Sequence, residues 1–402
     1  MKPLFNIRLT SATGLLMSFS LLVVSCSVKE VRNPHVNDYE DRCTLKQVGK
    51  KVFPLDESST ATFKYVQYIE NDTLPMFSFL NTYLNAIYLY DARTCELLDT
   101  LVFQKEGNNG VGILQGYHYI NKDSILTYQS GSGRLALVDS EGHVKQRYVL
   151  MDMEQQQTEN LVLPNPEVST DNPILYADGI VSMAGGYYSE SSIETTGRVY
   201  TTLHYNLATG EIRYANRYPE IYRKWSWGAH GYYRSINTAL DSEGNVLVGF
   251  AADHNLWRYN PKTGVSDSLY AGSRLVKSIK PFSTAPKEYM YQGAPADAVE
   301  DWYETQPSYD AVFYDPYRQL YYRFVRLPRE DALKNFFNNK PVVLIVLDKD
   351  LQYLGEEQLP ESNVGYDTYN AFVTPEGLFI KSLRVTSEDE VTFCQYQVVI
   401  QE

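Results

Sequence analysis

Long apolar segments are nearly absent from this sequence of 402 residues. Leu15–Val24 is an apolar run of ten residues, and no later stretch approaches the roughly 18 that a membrane-spanning helix needs. Cysteine is also scarce, and none of the four cysteines lies in a C-x-x-C pair, so redox and zinc motifs of that kind are absent. Most of the chain is therefore predicted to fold outside the bilayer.

Positive charge is in short supply as well. Lys and Arg together number 36 against 49 Asp and Glu, which gives a net charge of −13. Nucleic acid and anionic membrane surfaces attract basic proteins, so neither is a predicted partner. What the sequence has in abundance is tyrosine, with 34 residues, which is typical of strands and of surfaces that bind sugars or proteins.

The first residues form an export signal. Lys2 and Arg8 flank the start of the chain, an apolar run follows, and small Ser25 precedes Cys26. Val23-Val24-Ser25-Cys26 resembles the lipobox of bacterial lipoproteins, in which signal peptidase II cuts before the cysteine and lipid is attached to its thiol. Residues 1–25 are thus predicted to be a signal peptide, and Cys26 to hold the mature chain on a membrane through acyl chains. The alternative is an ordinary secretory signal with a chance cysteine at the cut.

Residues 26–43 are polar and aperiodic, which predicts a flexible tether. Two kinds of hairpin then alternate along residues 44–402. The first is clearest at Ser235–Phe250, where two apolar strands flank the turn Asp241–Gly244. In the second, an apolar strand closes on Asp or Asn before a more polar strand, as in Ile87–Asp91. One hairpin of each kind makes a four-stranded unit, the blade of a β-propeller.

Five complete blades are predicted, at about 62–104, 117–150, 173–218, 234–271 and 309–360. Three strands remain within 366–400 and one within 45–55, so the leading strand is predicted to complete a sixth blade and close the ring. Closure removes strand edges that would invite aggregation. The predicted fold class is all-β, a single six-bladed β-propeller domain over residues 44–402. Two stacked β-sandwiches are the alternative, which explains the strands but not the alternation of hairpins.

The register of the closing blade makes a prediction about the cysteines. Cys394 lies in the third strand of that blade, antiparallel to 45–55, and its neighbour should fall near Lys50 rather than Cys43. No disulfide is therefore predicted between Cys43 and Cys394. With Cys26 lipidated, three cysteines remain, so at least one thiol stays unpaired.

Two segments are the most informative for a family resemblance. They are Lys105-Glu-Gly-Asn-Asn-Gly-Val-Gly112, followed by Tyr117-His-Tyr-Ile-Asn-Lys-Asp-Ser-Ile, and the opening strand Lys46–Asp56. The layout resembles the TolB-like six-bladed propeller lipoproteins of Bacteroides-type bacteria, grouped as a domain of unknown function, number 4221. The resemblance covers essentially the whole mature chain and implies the propeller fold and the location of the protein as a membrane-anchored lipoprotein. It implies no activity, since none is established for that family.

Catalytic motifs are missing. There is no G-x-S-x-G and no H-E-x-x-H, and Lys105–Gly112 lacks the spacing of a phosphate loop, so it is interpreted as a turn between blades. Four residues could meet around a metal in the central channel, although each is interpreted first as structural: His118, His230, Asp253 and His254. One dense acidic cluster is predicted to be a solvated loop: Asp297, Glu300, Asp301 and Glu304. No catalytic residue, metal or other cofactor is predicted.

Two long interruptions, Pro219–Tyr233 and Pro281–Pro307, precede the innermost strand of a blade and are predicted to lie over one propeller face. They hold three of the four tryptophans, and long loops on a rigid scaffold often bind ligands. The candidate ligand-binding residues are Trp225, Trp227, His230, Tyr232, Tyr233, Tyr289, Tyr291, Trp302 and Tyr303. Such aromatics suit stacking on sugar rings or gripping a peptide. The alternative is that they plug the channel mouth as a small core.

The leading functional hypothesis is a non-enzymatic propeller, anchored at the outer membrane through Cys26, that binds a glycan or a protein partner through these loops. The side of the membrane is left open. Two other functions remain as alternatives: a hydrolase or lyase with a metal or a carboxylate pair at the channel mouth, and a structural subunit of an envelope complex.

Overall fold

Six antiparallel sheets of four strands follow one another along the chain and form a ring. The computed structural model describes residues 29–129, 133–150, 163–186, 198–228, 233, 235–284, 296–329, 340–360, 365–384 and 387–401. Within these ranges the chain is all-β apart from two short helices, and the sheets are the six blades of a β-propeller. The predicted fold class is confirmed.

The elements are, in chain order, β1 (Val31–Arg32), β2 (Cys43–Pro54), β3 (Val66–Ile69), β4 (Met76–Asn81), β5 (Ala86–Asp91), β6 (Leu97–Val102), β7 (Leu114–Asn121), β8 (Ser124–Gln129), β9 (Arg134–Val138), β10 (Val144–Val149), β11 (Leu175–Ala177), β12 (Ile180–Ala184), β13 (Tyr200–Asn206), β14 (Ile212–Arg217), α1 (Ile221–Lys224), β15 (Ile236–Leu240), β16 (Val246–Phe250), β17 (Asn255–Tyr259), β18 (Ser266–Tyr270), β19 (Ser278–Ile279), α2 (Ala296–Glu304), β20 (Ser308–Asp315), β21 (Leu320–Arg326), β22 (Val342–Leu347), β23 (Tyr353–Gln358), β24 (Tyr366–Thr374), β25 (Gly377–Ser382) and β26 (Glu390–Ile400).

Blades one to five are β3–β6, β7–β10, β11–β14, β15–β18 and β20–β23, and blade six has the order β2-β26-β25-β24. The remaining pair, β1 and β19, forms a small separate sheet. The predicted blade boundaries agree with these sheets to within a few residues. Among the described residues, no helix is long and apolar enough to cross a membrane.

Asx turns explain why an apolar strand repeatedly closes on Asp or Asn. The side-chain oxygen of Asn260 accepts hydrogen bonds from the backbone N–H groups of Lys262 and Thr263, both at 3.0 Å. Such a side chain imitates a backbone turn and starts the next strand of the hairpin. Gly264 then completes this turn with a φ of +73°, a conformation that only glycine adopts without strain. The repeated sequence pattern therefore specifies the second hairpin of the blade.

The ring closes through the strand that opens the domain. Strand β2 pairs with β26 from Cys43 opposite Ile400 to Pro54 opposite Glu390, and Lys50 lies opposite Cys394. The predicted register is thereby confirmed. Cys43, Cys95 and Cys394 are all free thiols, in agreement with the prediction that Cys43 and Cys394 are not joined.

The hydrophobic core lies between adjacent blades, and the contact between blades six and one shows how the closed ring is held. Phe53 of β2 stacks on Phe77 of β4 with ring centroids 4.1 Å apart, and Phe372 of β24 lies 4.9 Å from Phe77. All three side chains are buried. Burying one such side chain contributes about 1.5–3 kcal/mol, so this aromatic cluster stabilises the seam where the two ends of the chain meet.

Residues 29–42 pack against the propeller, although they fall within the segment predicted to be a flexible tether. Val31 and Arg32 pair with β19, and the side-chain amide of buried Asn33 donates to the carbonyl of Ser273 at 2.7 Å. Tyr39 stacks on Tyr270 with ring centroids 5.6 Å apart. These anchors hold the segment along blades four and five. The predicted lipidation site, Cys26, lies outside the described residues.

Candidate functional site

The connections between blades all reach one end of the propeller, because each leads from an outermost strand to the next innermost one. We call this end the entry face, where the connections lead into β3, β7, β11, β15, β20 and β24. Around the axis, β3 contacts β7 and β24, and β20 contacts β15 and β24. Both long aromatic loops belong to this face, one before β15 and one before β20.

The two aromatic loops contact each other. The backbone N–H of Ser226 donates to the carbonyl of Ser283 at 2.9 Å, and the N–H of Ser283 donates back to Ser226 at 3.3 Å. The indole N–H of Trp302 donates to the carbonyl of Lys280 at 3.2 Å. The described parts of the two loops therefore form one interlocked surface rather than two separate flaps.

Three of the candidate aromatics are buried and act as packing. Trp227 is 4% exposed, Tyr233 is fully buried and Tyr303 is 8% exposed. The polar atoms of the first two are satisfied, since Trp227 donates to the carbonyl of Ile221 at 3.1 Å and Tyr233 to that of Pro307 at 2.6 Å. These three side chains belong to the hydrophobic core of blades three to five, as the alternative interpretation of a plug describes.

Trp225 and Trp302 are different, because each residue is partly exposed. Both pack against that core with one side, and Trp302 lies 4.8 Å from the ring of Tyr233. The ring centroids of Trp225 and Trp302 lie 6.4 and 6.5 Å from that of Trp227. The remaining candidates, His230, Tyr232, Tyr289 and Tyr291, lie outside the described residues.

A segment before blade three crosses the axis of the ring. The hydroxyl of Thr170 contacts the side-chain oxygen of Asn370 at 2.8 Å, although blades three and six are opposite one another in the ring. The same hydroxyl accepts the backbone N–H of Val66 in blade one at 2.9 Å. The carbonyl of Asp171 accepts the N–H of Thr238 in blade four at 2.9 Å. We call residues 163–172 the crossing segment, because they bond to blades one, four and six.

Beside the crossing segment lies a buried ion pair that the sequence did not predict. The guanidinium of Arg326 contacts Asp310 and donates to the hydroxyl of Thr368 at 2.7 Å. That hydroxyl donates in turn to Asp310 at 2.8 Å. The side chains of Arg326 and Asp310 are only 2% and 4% exposed. We refer to these three residues, with Asp171, Lys340 and Asp367, as the axial cluster.

Bulges in the innermost strands bring this cluster to the axis. The pairing of β20 with β21 shifts between Tyr309 and Val312, and that of β24 with β25 shifts between Asp367 and Ala371. Bulges aim side chains away from the regular pleat and are common beside functional sites. Aspartate is uncommon within strands, so the Tyr-Asp pairs at 309–310 and 366–367 are the sequence feature that could have indicated this cluster.

Two groups of the cluster titrate far from their ordinary range. Burial raises the pKa of Asp171 to about 7, with further raising by Asp310 and Asp367. Burial lowers the pKa of Lys340 to about 7, although Asp310 and Glu304 oppose this. The Lys340 ammonium donates to the carbonyls of Tyr303 and Gln306 at 2.9 and 2.6 Å. Buried acidic and basic groups whose pKa values lie near 7 are found at functional sites in many proteins.

The stability of the wild type is expected to fall relative to that of Asp171→Asn as the pH rises from 4 to 7. A raised folded pKa stabilises the protein fully below the unfolded value, near 3.8, and this contribution is lost as the pH rises through about 7. The relative loss should approach about 4 kcal/mol, since each pKa unit is worth about 1.4 kcal/mol. Urea denaturation at several pH values measures it.

Ser169→Ala supplies the matched control for this titration. The hydroxyl of Ser169 donates to Asp171 at 2.6 Å and lowers the pKa of that carboxyl. Removing the hydroxyl should therefore extend the decline in stability to higher pH. A difference between wild type and Asp171→Asn that stays constant from pH 4 to pH 7 would contradict the assignment.

The residues considered for a metal are not brought together. Within the described ranges, no group of three or more His, Cys, Asp or Glu residues is arranged to hold a metal ion. His118 packs near Tyr176, whereas His254 bonds to the Tyr309 hydroxyl at 2.7 Å. Burial lowers the pKa of each histidine to about 4, and Asp253 accepts the indole N–H of Trp257. His230 lies outside the described residues.

The acidic cluster predicted as a solvated loop is instead helix α2. Val299 and Tyr303 are four residues apart and both buried, which places them on one face of a helix. The helix carries all four carboxylates of that cluster, and Asp297 and Asp301 are exposed. The density of charge favoured a loop, whereas the spacing of Val299 and Tyr303 is that of an amphipathic helix.

Comparisons with known proteins agree with the fold. A sequence model of the family described as Domain of unknown function (DUF4221) matches residues 43–358. The structure is similar to that of a member of this family from Bacteroides vulgatus, with 21% identity, 90% of this chain and 100% of that chain covered, and a TM-score of 0.73. None of the curated proteins compared with the chain matches it.

A fainter similarity extends to virginiamycin B lyase from Staphylococcus aureus. The identity is 10%, the alignment covers 88% of this chain and 99% of that chain, and the TM-score is 0.42. A similarity at this level carries no implication for activity.

Proposed function

We propose that this chain, which belongs to the DUF4221 family, is a non-enzymatic binding propeller anchored to the outer membrane through lipid on Cys26. Its ligand is a glycan or a protein partner, bound on the entry face. The observation that carries the proposal is the pair of partly exposed tryptophans, Trp225 and Trp302, on two interlocked loops.

The packing around Trp302 supports binding. The buried rings of Trp227 and Tyr233 lie 6.5 and 4.8 Å from that of Trp302, which favours one orientation of Trp302 before any ligand arrives. Preorganised aromatic groups lose little conformational entropy on binding, and they offer apolar area to sugar rings or to apolar side chains. The two loops are therefore suited to recognition by stacking.

The organisation of the channel favours surface recognition over chemistry in the interior. The crossing segment bonds to blades one, four and six, and the side chains of Arg326 and Asp310 are almost fully buried. Thr170 and Asn370 are buried as well. Described residues therefore link blades one, four and six across the axis of the ring.

The double variant Trp225→Ala/Trp302→Ala is expected to lose binding by about 10-fold or more, since one stacked ring contributes about 1–3 kcal/mol in related aromatic contacts. The measurement is a glycan array together with a pull-down from envelope extract, with the wild-type domain alongside. Trp257→Ala is the matched control, because Trp257 is also partly exposed but lies on β17, outside both loops. Equal binding by the wild type and the double variant would contradict the proposal.

A hydrolase or lyase is the second candidate, favoured by the pKa values near 7 of Asp171 and Lys340. A general acid or base works best when its pKa lies near the operating pH. A catalytic activity that disappears in Asp171→Asn but persists in the double tryptophan variant would favour this candidate. Metal analysis of the purified domain tests whether this enzyme would depend on a metal, and the absence of a stoichiometric metal would exclude the metal-dependent version.

A further inference from the structure

A groove beside blade two combines three basic side chains with a preformed floor and wall. Its volume is about 610 Å³, and Lys105, Arg134 and Arg147 line it. Small-molecule sites commonly have volumes of about 300–1,000 Å³, so the groove can hold a molecule the size of one or two sugar rings. It lies in a different part of the ring from the aromatic loops, which belong to blades four and five.

The floor of the groove is one face of the outer three strands of blade two. Residues paired across an antiparallel ladder project from the same face, and two such rows run across β8, β9 and β10. They are Gln129, Arg134 and Val149 in the first row, and Thr127, Ala136 and Arg147 in the second. The register places Arg134 and Arg147 as diagonal neighbours. Thr127 and Ala136 are small and buried, so no bulky side chain projects from the floor between the two guanidinium groups.

The wall of the groove is the glycine-rich segment Lys105–Gly112. The guanidinium of Arg147 donates to the carbonyl of Asn108 at 2.8 Å, and Asn109 accepts the backbone N–H of Val144 at 3.2 Å. Gly112 has a φ of +73°, and a Cβ there would lie 2.3 Å from the side chain of Gln129. The positive φ favours glycine at this position, and the absence of a Cβ lets the wall lie against the side chain of Gln129.

The charge of the groove contrasts with that of the whole protein. The chain carries a net charge of −13, whereas the charged residues that line the groove in the described part of the chain are all basic. Glu106 is exposed and adjacent in sequence, but it is not part of the lining. Clustered guanidinium groups attract anions and bind oxyanions with paired hydrogen bonds.

We infer that this groove binds an acidic saccharide, with the carboxylate or sulfate of the sugar held by Arg134, Arg147 and Lys105. The side chain of Gln129 lies on the same floor, and its amide has both a donor and an acceptor, which suit the hydroxyls of a sugar ring. This site goes beyond the proposed aromatic surface and does not depend on it.

The test is isothermal titration calorimetry of the full mature domain with three probes: D-glucuronate, glucose 6-sulfate and uncharged glucose. At least one acidic sugar should bind, glucose should not, and the affinity should fall as salt is added, because salt screens exposed charges. Binding of glucuronate alone or of the sulfate alone identifies the oxyanion, and both results support the inference. The absence of binding by either acidic sugar would overturn it.

Two variants test the location. Val149→Glu places a carboxylate on the floor opposite Arg134, and Lys105→Glu reverses a charge on the wall. Each should weaken binding about tenfold or more, because the introduced carboxylate repels an anionic ligand. Val149 is 63% exposed, so folding should be preserved, and Val265→Glu in blade four, where Val265 is 65% exposed, is the matched control.

Binding of the acidic sugar to the groove is expected to be independent of the aromatic loops. Trp225→Ala/Trp302→Ala should bind the acidic sugar with wild-type affinity, because neither tryptophan lines the groove. If Val149→Glu binds as tightly as Val265→Glu, or if the double tryptophan variant loses the acidic sugar, the groove is not the site.

Discussion

Asp310→Ala is expected to lower the free energy of unfolding by about 3–5 kcal/mol, because it leaves the guanidinium of Arg326 buried without its counter-charge. The pair is almost completely withdrawn from solvent, and Thr368 is hydrogen-bonded to both partners. Denaturation by guanidinium chloride at pH 7 measures the loss. The large effect arises from the remaining charge and not from the strength of the pair itself.

Two further variants distinguish this explanation from a general loss of packing. Asp267→Ala removes one partner of a pair with Arg258 that is bonded at 3.0 and 2.6 Å but lies at the surface, and it should cost about 1 kcal/mol or less. The double variant Asp310→Ala/Arg326→Met should recover much of the stability that Asp310→Ala loses. If Asp310→Ala costs no more than Asp267→Ala, the axial pair does not have the role described.

Cys26→Ser is expected to abolish membrane attachment completely. The proposed anchor requires a thiol for the diacylglyceryl group, and a hydroxyl at this position cannot accept it. A protein held by several acyl chains stays in the membrane, whereas one without any has no comparable anchor. Labelling with radioactive palmitate and detergent-phase partitioning of the expressed full-length protein measure the result.

Cys43→Ser is the matched control for the anchor. Cys43 is a free, buried thiol at the start of β2, so its substitution should leave labelling and partitioning unchanged. Persistent labelling of Cys26→Ser, or loss of labelling in Cys43→Ser alone, would show that the lipid is attached elsewhere or not at all.

The fold was largely predictable because each blade repeats the same local signals. Asx turns such as that at Asn260 and glycines such as Gly264 mark the hairpins in the sequence itself. Counting the resulting strands placed Lys50 opposite Cys394, as the structure has it. The Asx turns of blades one to five therefore mark their hairpins, and the count of strands determines how the ring closes.

The axial cluster could not be predicted in the same way, because it depends on contacts between residues far apart in the chain. Thr170 and Asn370 are separated by 200 residues, and the bulges that carry Asp310 and Asp367 leave no turn residue as a marker. The Trp-Ser-Trp sequence posed a related difficulty. Only the fold shows that Trp227 is buried while Trp225 remains partly exposed.

The tether was difficult to interpret for a different reason. Residues 29–42 have a polar composition that favours disorder, yet a few side chains hold them in place. The ring of Tyr39 lies 5.6 Å from that of Tyr270 and 5.1 Å from that of Tyr353, and Asp41 accepts the Tyr353 hydroxyl at 2.7 Å. Composition describes the average of a segment, whereas docking here depends on single anchors.

The most direct measurement of the proposed binding function is hydroxyl-radical footprinting of the four tryptophans, with and without the glycan or protein that the binding screen selects. In the free protein, Trp225, Trp257 and Trp302 should oxidise readily, and buried Trp227 should be protected. When the ligand is bound, oxidation of Trp225 and Trp302 should fall severalfold while that of Trp257 stays the same. If Trp225 and Trp302 oxidise at unchanged rates in the saturated complex, the aromatic loops are not the binding surface.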